Sequence, residues 1–168
     1  MVETSAMNDV EAAKLAVMVE RIGYAFYTTA AQSSASRQVT RMFRTLAQQE
    51  EVHRERFEGL AASLSARHRD AWNNAAMEAY IRALYDTAIF PDVETAHALA
   101  QVIESEEAAL RLALKVEKDS VLFYSAAAGA ATSQDTSGTF SQIAEEEKTH
   151  VVTIQSYLAK VAAKPATA

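Results

Sequence analysis

The sequence predicts an all-α protein, a four-helix bundle made of two helical hairpins joined by a long, partly helical crossover. Two observations support this prediction. The first is the scarcity of helix breakers in 168 residues rich in alanine, leucine and glutamate. The prolines are Pro91 and Pro165, and the glycines are Gly23, Gly59, Gly129 and Gly138. The second is the order of the predicted connections, since each half of the chain contains one short polar turn and one long connection lies between the halves.

The first hairpin is predicted over about residues 8–65. In its first helix, residues spaced alternately by three and four positions share one face; they are Val10, Ala13, Val17, Glu20, Tyr24, Tyr27 and Ala31. The polar segment QSSASRQ, residues 32–38, predicts a turn. Ser34 or Ser36 then serves as N-cap of a second helix, which ends near Ser65.

The second hairpin is predicted over about residues 105–162. A third helix begins near Ser105, where two following glutamates suit the helix dipole, and a fourth follows a turn at 133–138. The crossover, about 66–104, holds an amphipathic stretch that ends at Pro91, with Trp72 and Tyr80 as anchors to the bundle. Residues 163–168 are a loose tail, and residues 1–168 form a single domain.

Composition excludes several classes of function. The net charge of −6, without a basic cluster, argues against nucleic-acid binding. The absence of cysteine excludes disulfides, thiolate metal sites and cysteine nucleophiles. The start of the chain lacks the pattern of a signal peptide, and no apolar run approaches the ~20 residues that span a bilayer. A soluble cytoplasmic protein without a membrane partner is expected.

The two halves of the chain are related by a shift of 97 residues. Residues 15–53 align without a gap on residues 112–150, and 13 of these 39 positions are identical. VERIGYAFYTTAA at 19–31 matches VEKDSVLFYSAAA at 116–128, and FRTLAQQEEVH at 43–53 matches FSQIAEEEKTH at 140–150. The halves therefore resemble two copies of one helical hairpin.

This register selects one glutamate from the run EEEKTH at 145–150. Glu147 matches Glu50, whereas Glu145 and Glu146 match glutamines. The same shift pairs further acidic and histidine residues, so that the candidate metal ligands are Glu20, Glu50, His53, Glu117, Glu147 and His150. Each lies on a mostly apolar helix face, where unpaired carboxylates are costly. Two divalent cations would balance the charge of four carboxylates.

The donor set indicates the kind of metal. Oxygen and nitrogen ligands without sulfur suit iron or manganese, and they are also compatible with zinc. One glutamate from each of two helices, with a Glu-x-x-His motif from each of the other two, is the pattern of di-iron and di-manganese carboxylate proteins. A bundle with stray buried acids and satisfied core histidines is the alternative. The remaining histidines, His68 and His97, are interpreted as ordinary polar residues, and Glu104, Glu106, Glu107, Glu145 and Glu146 as solvated.

Over residues 10–160, including ALKVEKDSVLFY, the sequence resembles the rubrerythrin branch of the ferritin-like superfamily. The resemblance implies two iron ions that react with peroxide or dioxygen. It implies that Glu20 and His53 are terminal ligands of one metal, that Glu117 and His150 are terminal ligands of the other, and that Glu50 and Glu147 bridge them. It also implies hydrogen bonds from Tyr27 and Tyr124 to the ligands, although these tyrosines could equally be packing residues.

Two departures from the family pattern bear on mechanism. Full-length rubrerythrins carry a cysteine-containing rubredoxin domain, which this chain lacks, so the electron donor would be a separate protein. They also place a carboxylate three residues after the third-helix glutamate, where this chain has Ser120, matched by Gly23 in the first half. A nearly two-fold symmetric metal site is therefore expected.

Three functions stay open on this evidence. One is a redox enzyme that reduces hydrogen peroxide or dioxygen at a diferrous centre. The second is ferroxidase activity with iron binding or storage, and the third is substrate oxygenation, which the lack of a substrate module disfavours. The nearer resemblance to rubrerythrin than to cage-forming ferritin favours the redox enzyme. A homodimer is also expected, with hairpins kept within a chain or exchanged, because neither hairpin can bury its own apolar face.

Overall fold

A computed structural model describes residues 8–67 and 105–163, and the regular elements in these ranges are all α-helices. Helix α1 spans Asp9–Ser33, α2 spans Arg37–Arg67, α3 spans Glu106–Ala130 and α4 spans Gln134–Ala162. α1 packs along α2, and α3 packs along α4. The predicted all-α bundle of two hairpins is confirmed.

Some sequence predictions concern other parts of the chain. The crossover from 68 to 104, with His68, Trp72, Tyr80, His97 and Glu104, lies outside the described residues, as does the tail from 164 onward. Among the helices that are described, none is long and apolar enough to cross a membrane.

Polar side chains cap the start of each helix. Asn8 and Glu11 form a capping box at α1, while Ser105 and Ser133 accept backbone N–H bonds at the starts of α3 and α4. At α2 the oxygen of Ser36, not Ser34, receives the N–H of Val39 at 3.5 Å. Ser36 and Ser133 are equivalent under the 97-residue shift, so both hairpins begin their second helix in the same way.

The fourth helix begins earlier than predicted. The turn was expected to extend to Gly138, but α4 starts at Gln134 and Gly138 lies in its first two turns. A Cβ added at Gly138 would have no atom within 4 Å, so no neighbouring group requires a glycine at this position. A glycine in a helix costs only about 1 kcal/mol relative to alanine, which the capped helix tolerates.

An acidic residue at the start of each hairpin binds the turn of the other. The carboxylate of Asp9 accepts the backbone N–H and the hydroxyl of Thr132, at 3.0 and 2.9 Å. The carboxylate of Glu106 accepts the hydroxyl of Ser34 and the N–H of Ser36, at 2.5 and 2.6 Å. The interpretation of Glu106 as merely solvated is therefore wrong. These paired contacts join the hairpins at both ends of the bundle.

Aromatic residues pack on the inner faces of the bundle. One group contains Phe26, Tyr27 and Phe43, and the other contains Phe57, Phe123, Tyr124 and Phe140. Tyr24, predicted on the core face of α1, is instead 43% exposed. Near this position the buried face of α1 passes through Glu20, Gly23 and Tyr27 instead.

Candidate metal centre

Six acidic and histidine side chains meet between the four helices. Glu20 lies on α1 and Glu117 on α3, while α2 and α4 each supply a Glu-x-x-His pair. All six residues are buried, each at 5% exposure or less; they are Glu20, Glu50, His53, Glu117, Glu147 and His150. Equivalent alanines in the two halves, Ala16 with Ala113 and Ala47 with Ala144, lie buried on the same helices three or four residues before a glutamate of the cluster.

These side chains form two overlapping groups. One contains Glu20, Glu50, His53 and Glu147, and the other contains Glu50, Glu117, Glu147 and His150. Within each group one ligand atom per residue lies within 4.8 Å of the others. Both groups share Glu50 and Glu147, which is the arrangement expected if these two bridge a pair of ions. Binding of metal by these six residues stays a prediction.

Both histidines direct the same ring nitrogen into the cluster. His53 Nδ1 lies 2.9 Å from Glu147 Oε1 and 3.7 Å from a Glu20 oxygen. His150 Nδ1 lies 2.7 Å from Glu147 Oε2 and 3.4 Å from a Glu117 oxygen. The two rings are stacked with centroids 5.7 Å apart. Each imidazole thus offers one nitrogen to the centre and turns the other away from it.

The buried carboxyl groups differ in their affinity for protons. Burial, followed by repulsion from Glu147, raises the pKa of Glu50 well above its ordinary value and that of Glu117 to about 8. Burial also acts to raise the pKa of Glu147, but the facing rings of His150 and His53 hold it below its ordinary value. Glu147 therefore stays charged at the centre more readily than Glu50 or Glu117.

The histidines complement this charge. Burial lowers the pKa of His53, but Glu147 and Glu20 outweigh burial and raise that pKa to about 10. His150 behaves in the same way, since Glu117 and Glu147 raise its pKa to about 10 against burial. Both rings are therefore protonated at neutral pH in the absence of a cation, and binding of a metal through Nδ1 would release a proton from each ring.

Two tyrosines form hydrogen bonds to Glu117 and Glu20 across the bundle. The hydroxyl of Tyr27 donates to Glu117 Oε1, and that of Tyr124 donates to Glu20 Oε1. Each tyrosine of one hairpin therefore serves the glutamate of the other. Burial, followed by the charge of the bonded glutamate, raises the pKa of both tyrosines well above 10, so both stay protonated as donors.

Gly23 makes space for Glu50. A Cβ added at Gly23 would lie 2.8 Å from Glu50 Oε2 and 3.2 Å from Glu50 Cδ. The equivalent position in the second half is Ser120, whose side chain is buried. The expected symmetry of the two halves thus fails at this position, because only the first half needs a residue without a side chain.

We expect Gly23→Ala to weaken metal binding without weakening the fold. The added methyl group must displace the Glu50 carboxylate, which belongs to both groups, so both affinities should fall on the order of 10- to 100-fold. Calorimetric titration with Fe(II) measures this loss. Gly59→Ala is the matched control, because nothing lies within 4 Å of its Cβ. It should raise stability by about 1 kcal/mol and leave both affinities unchanged. Equal affinities in the two variants would contradict the role of Gly23.

Sequence reasoning missed one side chain at the edge of the centre. Glu146, interpreted as solvated, lies with one oxygen 2.9 Å from His53 Nε2. Arg56 on α2 donates to both Glu146 oxygens at 2.9 and 3.0 Å. Burial acts to raise the pKa of Glu146, but Arg56 and His53 outweigh it and lower that pKa. A partner on another helix leaves no signal in the periodicity of α4.

The unpaired atoms of the cluster fit a pair of cations. Buried atoms that make no hydrogen bond of good geometry include Nδ1 of both histidines, both Glu147 oxygens, Oε2 of Glu20 and Oε1 of Glu50, although each Nδ1 lies within 3 Å of a Glu147 oxygen. Such atoms are rare in protein cores and call for a ligand. Their nitrogen and oxygen chemistry matches iron and manganese, and divalent ions would balance the four carboxylates.

Comparison with known proteins supports the same interpretation. The family model described as Rubrerythrin matches residues 2–61, which include α1, most of α2 and the cluster residues Glu20, Glu50 and His53. The match confirms the resemblance over this span and is consistent with a ferritin-like di-iron protein. No curated protein and no solved structure matches the chain.

Proposed function

We propose that this rubrerythrin-like chain is a di-iron oxidoreductase that reduces hydrogen peroxide or dioxygen with electrons from a separate donor protein. The observation that carries the proposal is the pair of buried ligand groups sharing Glu50 and Glu147. A centre of this kind supplies two reducing equivalents when both ions are ferrous. Reduction of peroxide consumes two electrons and two protons and yields two molecules of water.

The described residues support such chemistry in three ways. The apolar and aromatic side chains around the cluster exclude bulk water, which strengthens electrostatic interactions inside it. Tyr27 and Tyr124 fix the orientation of Glu117 and Glu20. The two histidines direct Nδ1 inward, where it can serve as a ligand.

A turnover assay separates this function from iron oxidation for storage. Anaerobically loaded protein is mixed with excess peroxide and ascorbate, and peroxide consumption per chain is measured. We expect many turnovers per chain while iron stays bound, because the donor restores the ferrous state. Oxidation of added Fe(II) with growth of a large iron-filled assembly would instead support the ferroxidase and storage function. Consumption of no more than one peroxide per centre, without mineral growth, would contradict both functions.

A further inference from the structure

The two histidines of the centre differ in what supports their outer nitrogen. Nε2 of His53 lies 2.9 Å from a Glu146 oxygen. Glu146 is in turn held by two hydrogen bonds from Arg56 and one from Gln142, the last at 3.2 Å. The contact joins α2 to α4, and it fixes the plane of the His53 ring from outside the cluster.

His150 has no comparable support. Its Nε2 is buried and has no hydrogen-bond partner. Under the 97-residue shift the position of Glu146 is taken by Gln49, and that of Arg56 by Thr153. His150 therefore lacks both the outer carboxylate and the arginine that binds it. The six ligand candidates follow the repeat, but the residues that hydrogen-bond to the histidines from outside do not.

This difference matters for metal affinity. An imidazole that donates its outer N–H to a carboxylate is held in the tautomer whose inner nitrogen carries a lone pair. The carboxylate also makes that nitrogen more basic, and loss of such a partner costs typically 10- to 100-fold in metal affinity. Only the group that contains His53 has this advantage.

We propose that Glu146, held by Arg56, is a positioning residue that makes the His53 side of the centre the tighter cation position and the first to fill. The proposal rests on the di-metal site of the proposed function and adds an order of loading to it. Glu146 contacts neither group of inward-facing ligand atoms, so it acts through His53.

Stepwise titration of the metal-free protein with cobalt(II) chloride tests the proposal by calorimetry and visible absorption. The unmodified protein should bind two ions with unequal dissociation constants. Glu146→Ala should weaken the tighter binding 10- to 100-fold and leave the weaker one in place, so the two constants converge. The ratio of the two dissociation constants is the informative quantity, because a general loss of stability would weaken binding at both positions. Thermal unfolding of the metal-free variants checks that they fold.

Two further variants complete the design. Glu145→Ala removes a neighbouring exposed carboxylate and should leave both constants unchanged. The double substitution Gln49→Glu and Thr153→Arg transfers the support to His150 and should tighten the weaker position.

Two outcomes would overturn the inference alone: equal constants in the unmodified protein, or an equal loss at both positions in Glu146→Ala. Failure of the unmodified protein to bind cobalt would overturn the proposed function together with it.

Discussion

Saturating Fe(II), added anaerobically to the metal-free protein, is expected to raise its melting temperature by roughly 10–20 °C. The cluster holds four buried carboxyl groups, and burial followed by repulsion from Glu147 raises the pKa values of Glu50 and Glu117, so these groups are costly to keep charged without a cation. A cation present at about 100 times its dissociation constant stabilises the folded state by about 2.7 kcal/mol per site. Two sites would contribute about twice that, and each kcal/mol shifts a domain of this size by about 2–4 °C.

Differential scanning calorimetry with and without a chelator measures this shift. Ca²⁺ is the matched control, because it prefers six to eight oxygen ligands and binds imidazole nitrogen poorly. It should change the melting temperature little. A melting temperature that Fe(II), Mn(II) and Zn(II) all leave unchanged would remove the basis of the proposed function.

The second large effect is expected from Glu147→Ala. Glu147 belongs to both ligand groups and faces both histidines, at 2.9 Å from His53 Nδ1 and 2.7 Å from His150 Nδ1. Its removal should abolish binding of at least one metal ion per chain and most of the melting-temperature rise given by Fe(II), because metal binding contributes folding free energy at such sites. Metal analysis of anaerobically purified protein and calorimetry measure the two losses.

Glu145→Ala is the control for this substitution, since the two residues differ by only two positions in the same run of glutamates. The Glu145 side chain is 70% exposed and pairs with Lys148 on the surface of α4, an interaction of small energetic value. Metal content and melting temperature should stay as in the unmodified protein. The assignment of Glu147 fails if the two variants behave alike, or if Glu147→Ala retains both ions.

Much of the fold and of the centre follows from local sequence. Glycine and proline are scarce, serines occupy the starts of α2, α3 and α4, and the 97-residue repeat shows two equivalent hairpins. Within each helix, the 3.6-residue period determines which side chains share a face. The choice of Glu147 over Glu145 needed only the repeat and this period, and the structure buries the first and exposes the second.

Contacts between helices could not be predicted in this way. Periodicity places Tyr27 on the inner face of α1, but only the packing of the hairpins shows that it bonds Glu117 rather than Glu20. The same holds for Gly23, whose missing side chain matters because the Glu50 carboxylate of another helix occupies the adjacent space.

Glu146 illustrates the difference most clearly. Its sequence neighbours and its partly exposed position on α4 are those of a solvated acid, yet Arg56 and His53, some 90 residues away in the chain, hold it at the edge of the centre. The sequence by itself determined the four helices, their duplication and the faces that carry the six ligand candidates, because these depend on residues within a few turns. Only the tertiary structure decided which helix supplies each partner, because that depends on distances between segments far apart in the chain.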